Sequence, residues 1–135
     1  MSSNYHSIDS ALKNYLTDFF VYNKNTKNRQ RQRPYKWERI KEDLELINSL
    51  NPNLVLDLGC GDNRYKSLVK NLIGIDIAYD PNADIIGDIT TLDFEDNSVD
   101  AIIAYGSINF GGEELIIKQL TEAKRVLKDK GIICI

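Results

Sequence analysis

The chain has 135 residues, 42% of them hydrophobic and 27% charged, with eight glycines and three prolines. That is room for one domain with a modest core. No apolar run approaches the roughly 20 residues of a membrane helix, and the N-terminus, MSSNYHSIDS, lacks the basic flank and apolar centre of a secretory signal. One histidine and two distant cysteines, Cys60 and Cys134, offer no metal-ligand spacing, so a reducing, cytoplasmic setting is the default.

Along the chain, Ile8, Leu12, Tyr15, Leu16, Phe19 and Phe20 recur at helical spacing and predict an amphipathic helix over 7–20. The segment KNTKNRQRQRPYK (24–36) has six positive residues, no acid and no apolar period, and 23–33 is read as a basic loop. A second helix begins near Pro34, carries the stripe Trp37, Ile40, Leu44 and Ile47, and stops at Asn51-Pro52, where the pre-proline residue disfavours helical geometry. An N-terminal helical segment, 1–50, is thus set apart from 51–135.

From residue 51 strands and helices alternate. LVLDL (54–58) is a strand, 63–70 a short helix, LIGIDIA (72–78) a strand, ADIIG (83–87) another and VDAIIAY (99–105) a fourth. A helix over about 113–127 follows, with Ile116, Leu120, Ala123 and Leu127 on one face; Gly131 stops it and GIICI (131–135) forms the last strand. Strands apolar on both faces and separated by helices predict a Rossmann-like, doubly wound and mainly parallel sheet. A last strand that is apolar to Ile135 presents an open edge, and it suggests a domain incomplete at its C-terminus.

Chemistry gathers at the strand ends. In such sheets ligands bind beyond the carboxyl ends of the strands, where the strand order reverses. Asp57, Gly59 and Gly61 close the first strand: the glycines permit a tight turn and a close backbone approach, and Asp57 is a fixed acceptor. Asp76 lies nineteen residues after Asp57, the spacing at which a carboxylate takes ribose hydroxyls. Asp88 follows the third strand and can accept from an adenine amine. A dinucleotide loop reads G-x-G-x-x-G; here GCGDNR puts Arg64 at the third glycine position, while Asp57 and Asp62 add negative charge. A diphosphate is disfavoured there and a cationic adenosine compound favoured.

Together these segments resemble the class I S-adenosylmethionine-dependent methyltransferases. LVLDLGCGDN is similar to their first motif and LIGIDIA to their second. GDITTLDFEDNSVDAIIA resembles the third motif and the approach to the fourth strand, and LTEAKRVLKDKGIICI the helix and fifth strand. The resemblance covers about 50–135. It implies that Asp57, Gly59 and Gly61, with Cys60 between the glycines, line the methionine end of S-adenosylmethionine. Asp76, with Ile77 beside it, would hold the ribose, and Asp88 and Ile89 would flank the adenine. Tyr105 and Gly106 would face the methyl group or the acceptor, Tyr105 being the weak candidate for a catalytic group. The reaction implied is in-line displacement at the sulfonium methyl, with positioning as the main contribution of the protein.

The chain departs from the family in places. YGSINFGG after the fourth strand matches neither the D/N-P-P-Y/F signature of amino-methylating DNA enzymes nor the Pro-Cys nucleophile of cytosine-ring enzymes, and the family's sixth and seventh strands are not found. A non-catalytic cofactor- or partner-binding remnant of the fold is one alternative, and a nucleotide-dependent oxidoreductase, weakened by Arg64, another. Cys60 reads as a small buried filler rather than a nucleophile. Tyr35 and Trp37 read as helix packing before a lid, and the basic stretch 24–36 as a solvated loop before a nucleic-acid contact.

Overall fold

A computed structural model describes residues 20–24, 28–31, 37–77, 81–105, 107–108 and 112–135. The elements are β1 (Phe20–Asn23), β2 (Asn28–Arg31), α1 (Trp37–Ser49), β3 (Val55–Leu58), β4 (Leu72–Asp76), β5 (Ile85–Ile86), β6 (Val99–Ile103), α2 (Glu113–Val126) and β7 (Leu127–Cys134). They build one sheet in the order β2-β1-β7-β6-β3-β4-β5. The five strands β5, β4, β3, β6 and β7 are parallel, and β1 joins β7 antiparallel with β2 outside it.

The parallel strands follow from their composition. Val55, Leu56, Leu58, Ile102 and Ile103 are fully buried, because side chains that alternate between faces meet a helix layer on each. On one face Leu56, Leu58, Ile75, Ile102 and Ile133 pack with Leu120, Ala123 and Val126 of α2. On the other, Val55, Leu72, Ala101, Ile103 and Ile132 pack with Ile40, Leu44 and Ile47 of α1 and with Tyr65 and Val69. α1 ends as its sequence requires: Leu50 and Asn51 N–H donate to Ile47 and Asn48 O, and Asn51 takes φ +51 ahead of Pro52.

Five expectations are corrected. Part of the basic segment 23–33 is the strand β2 rather than loop, and Phe20, placed at the end of a helix, starts β1; the rest of 7–20 lies outside the described residues, as do 34–36. A ladder is made by backbone groups, so a strand can form on an available edge without an apolar period. The short helix over 63–70 is a run of turns. Asn63 has φ +60, and bonds such as Lys66 N–H to Asn63 O and Leu68 N–H to Tyr65 O close single turns. The third parallel strand is only Ile85–Ile86. Gly131 does not stop α2: β7 begins at Leu127, and Gly131 lies within it, inside a break in register against β6. A Cβ on Gly131 would stand 2.5 Å from Leu127 Cδ1 and 3.0 Å from Asp100 O, so the strand closes here only around glycine.

The edge of β7 is not open. Val21, Tyr22 and Asn23 pair with Cys134, Ile133 and Ile132, and Lys24 N–H donates to Gly131 O.

Candidate functional site

The chain runs outward from β3 through β4 to β5, then returns to the other side of β3 with β6 and β7, so the strand order reverses between β3 and β6. The carboxyl ends of those two strands meet there, the position at which open α/β sheets bind ligands.

Gly59 makes the turn out of β3 with φ +74, and its N–H and that of Cys60 both donate to Ile75 O, at 2.8 and 3.0 Å. A Cβ on Gly59 would lie 2.3 Å from Ser107 Cβ, while Ser107 Oγ donates to Leu58 O at 2.6 Å. The loop after β6 is thereby held against the loop after β3. Gly61 also has positive φ, +54, but its Cβ position has nothing within 4 Å: it opens away from the fold. Its N–H donates to Asp76 Oδ2 at 2.8 Å, tying the glycine turn to the end of β4.

Asp57 is buried, and its Oδ2 finds no hydrogen-bond partner among the described residues. Burial and then the nearby Asp76 charge push its pKa up to about 7; Arg64 opposes the shift and Asp62 adds to it. An acceptor in that condition calls for a cation. Cys60 is free and buried, and its pKa is pushed up to about 11 by burial and then by the charges of Asp57, Asp76 and Asp84. The thiol stays protonated at neutral pH, which suits a filler and not a nucleophile.

Beyond β4, Ile77 is 70% exposed and Ile86, paired in register with Asp76, is 54% exposed: two apolar side chains in solvent beside the ribose candidate. Asp88 is exposed and accepts from Thr90 N–H at 2.8 Å, a bond that holds its carboxyl below the usual range. Ile89, expected against the adenine, is buried in the α2-side core. Gly106 lies outside the described residues. Tyr105 packs its ring edge-on against Tyr65, centroids 5.9 Å apart, and its hydroxyl donates to Asp43 Oδ2 of α1.

The rim therefore brings Asp57, Gly59, Cys60, Gly61 and Asp76 together, sets Ile77 and Asp88 to one side and Tyr105 to the other. Four residues escaped sequence reasoning. Ser107 sits two places after Tyr105 and had no motif to mark it. Asp84 Oδ2 accepts from Gly74 N–H (2.8 Å), Asn63 Nδ2 (3.1 Å) and Lys66 Nζ (2.9 Å), and so fastens the segment after Gly61 to β4. Asn63 fills the space beside Gly74, where a Cβ would meet its Oδ1 at 2.2 Å. Asp43 did carry a signal: it is an acid inside the stripe Ile40, Leu44, Ile47, three residues after Ile40.

These residues suit S-adenosylmethionine. The Asp57 oxygen, unpartnered among the described residues and in the turn that Gly61 opens, would suit an ammonium, Asp76 a ribose diol, and Ile77 an adenine face. No group of potential metal-ligating side chains occurs among the described residues.

A mainly parallel sheet with an acid-lined glycine turn at its switch point defines a Rossmann-like domain. Comparison with known proteins narrows the class: residues 56–135 match the model of the methyltransferase domain family, and the chain belongs to that family. It is 36% identical over 117 residues to a demethylmenaquinone methyltransferase of Thermotoga maritima, covering 74% of this chain and 49% of that protein. The PH0226 protein of Pyrococcus horikoshii superposes with a TM-score of 0.53 at 26% identity, over 70% of this chain and 56% of that one. The trans-methyltransferase CalH, solved with S-adenosylhomocysteine, shares the fold with a TM-score of 0.54 at 19% identity, over 70% and 34%. The chain spans about half the length of the relatives it matches.

Proposed function

We propose that this chain binds S-adenosylmethionine at the β3–β4 rim and transfers its methyl group to a small acceptor approaching from the β6 side. The observation that carries this reading is the buried Asp57 oxygen, without a partner among the described residues, four positions before a glycine whose missing side chain leaves open space. The cofactor supplies a sulfonium methyl already activated for in-line displacement. The chain's own part is to hold it. Asp57 would take the ammonium, Asp76 the ribose while keeping its bond to Gly61, and Ile77 the adenine face. The Gly59–Ser107 contact would fix the distance between cofactor and acceptor loops, since orientation is the main lever in such a displacement.

A small acceptor is favoured over nucleic acid because Lys24, one of the six cations of the basic stretch, is spent on structure. Its Nζ donates to Asn97 Oδ1 and to the carbonyls of Lys124 and Leu127. The relationship to a demethylmenaquinone methyltransferase makes a quinone-type ring the first acceptor class to try. Among the described residues no helix is long and apolar enough to cross a membrane.

The test is thermal unfolding with S-adenosylhomocysteine, with NADH as the comparison. Ligand at 100 times its dissociation constant adds about 2.7 kcal/mol to a binder. A melt raised by S-adenosylhomocysteine alone, with the rise lost in Asp76→Ala, supports the reading. A cooperative melt indifferent to it, or raised equally by NADH, sinks it.

A further inference from the structure

Residues 77–84 join β4 to β5, fewer than the dozen or so that a helical crossover between parallel strands takes. One carboxylate fastens the end of this connection. Asp84 N–H donates to Gly74 O, and Gly74 N–H returns a bond to Asp84 Oδ2 at 2.8 Å. The same oxygen accepts from Asn63 Nδ2 at 3.1 Å and Lys66 Nζ at 2.9 Å, both from the segment that follows the glycine turn. Asn63 Nδ2 also donates to Asn82 O, Lys66 Nζ to Leu72 O, and Asn63 N–H to Cys60 O in the turn itself. Side chains therefore tie the turn to β4 in two places. One tie is Gly61 N–H to Asp76 at the rim; the other runs through Asn63 to Asp84, which is bonded to β4 two residues before Asp76.

This second tie is held at a cost. Asn63 stands at φ +60, its Oδ1 is buried without a partner among the described residues, and its carboxamide occupies the space that a Cβ on Gly74 would fill. An unmet buried acceptor is unfavourable, and left-handed backbone adds to the cost. The Lys66–Asp84 pair offsets little of it as an ion pair, since both side chains are partly exposed and solvent screens them. What the arrangement secures is geometry. On the proposed function Asp76 serves both Gly61 N–H and the ribose diol, so a turn held by Asp76 alone would move with the ligand. We propose that Asp84, acting through Asn63, is a positioning residue that holds the glycine turn against β4 independently of Asp76. It thereby sets the grip on the amino-acid end of the cofactor without itself contacting the ligand. The inference rests on the proposed function, and it adds a residue that tunes recognition of the amino-acid end separately from recognition of the adenosine.

The experiment measures two ligands by calorimetry on the full chain: S-adenosylhomocysteine, and methylthioadenosine, which keeps the adenosine and the sulfur but lacks the amino-acid end. The wild type is expected to bind S-adenosylhomocysteine at least about tenfold more tightly, the worth of one hydrogen bond to a charged group. Asp84→Asn puts an amide where three donors converge. It should lower that ratio at least about fivefold while methylthioadenosine affinity stays within about twofold of the wild type. Asp100→Asn is the matched control. Asp100 likewise accepts from backbone N–H groups and a lysine, those of Asn53 and Leu54 and of Lys128, but at the amino end of β3. Its substitution should lower the melt and leave the ratio unchanged. If Asp84→Asn does not melt cooperatively, Asn63→Gly takes its place, because glycine keeps the positive φ and removes the tether; it must lower the ratio in the same sense. A merely structural carboxylate would lower both affinities together or neither. The proposal is overturned if the ratio survives the substitution, if both affinities fall in parallel, if Asp100→Asn lowers the ratio as far, or if the wild type binds the two ligands equally. A wild type that binds neither ligand overturns the proposed function itself, and this inference with it.

Discussion

On the proposed function, Asp57 places affinity and stability in opposition at a single carboxyl. Its pKa, raised to about 7 by burial, means that the folded chain holds a proton that the unfolded chain, near 3.8, has released. Between those values this carboxyl binds more protons in the native than in the unfolded state, so its own contribution to stability is greatest below about pH 4, falls as pH rises toward 7, and is level above. Asp57→Asn abolishes that fall: the variant should melt higher than the wild type at about pH 8 and lose the advantage near pH 4. The same substitution should weaken S-adenosylmethionine binding by roughly tenfold to a hundredfold, the loss of a hydrogen bond to a charged group. In the wild type, affinity should decline below pH 7 as the proton competes with the ligand's ammonium. Calorimetry across pH checks both effects, and a wild-type affinity flat through pH 7 would remove Asp57 from the methionine end. The two glycines beside it should separate in the same assays. Gly59→Ala sets a methyl group against Ser107 at positive φ and should cost about 2–4 kcal/mol, part of it recovered by Ser107→Gly. Gly61→Ala meets nothing in the fold, so it should cost only the positive-φ strain of about 1–2 kcal/mol, yet lose cofactor affinity more than in proportion.

At the scale of elements, the end of α2 is finished by a residue from β1's turn. Lys24 Nζ lies among the carbonyls of Lys124 and Leu127 and Asn97 Oδ1, and burial lowers its pKa. A cation there satisfies carbonyls that the helix leaves without partners and opposes the negative end of its dipole. Lys24→Met should cost about 1–3 kcal/mol and release the hairpin first, seen as faster amide exchange in β1 than in β3 or β6. No sequence pattern announces such a bond across 100 residues, and that is where legibility stopped. The strands β3, β4 and β6 were legible because burial on two faces demands unbroken apolar runs, and α1 and α2 because one-sided burial demands a stripe. β2 was not, since Asn28–Arg31 is polar and its pairing is made by backbone alone. The segment after Gly61 misled for the opposite reason. Tyr65, Leu68 and Val69 have helical spacing, but Asn63 at φ +60 diverts the chain into turns whose geometry Asp84 then fixes. The acids at the site were legible singly by spacing; the Asp43–Tyr105 pair was not, because it exists only once α1 lies across β6.

For the molecule as a whole, the hairpin and the candidate rim lie on opposite halves of one seven-stranded sheet. β1 closes the edge of β7 through three paired residues and the Lys24 N–H, whereas the candidate site is built on β3, β4, β5 and the end of β6. An uncovered β7 would present the backbone of Ile132, Ile133 and Cys134 to any other strand, the arrangement that drives edge-to-edge association. Removal of residues 1–31 should therefore convert a monodisperse chain into one that self-associates with concentration, read by light scattering. The fraction that stays folded should bind S-adenosylhomocysteine within about threefold of the full chain, because sites on separate elements that share no partners are nearly independent. A shortened chain that stays monomeric with an unchanged melt would make the hairpin a peripheral attachment. A large loss of affinity in folded material would mean that β1 and β2 support the rim through β7 and β6. Either departure is visible in the same two measurements, and the expected pair of results assigns the hairpin to guarding the sheet and the acids to the ligand.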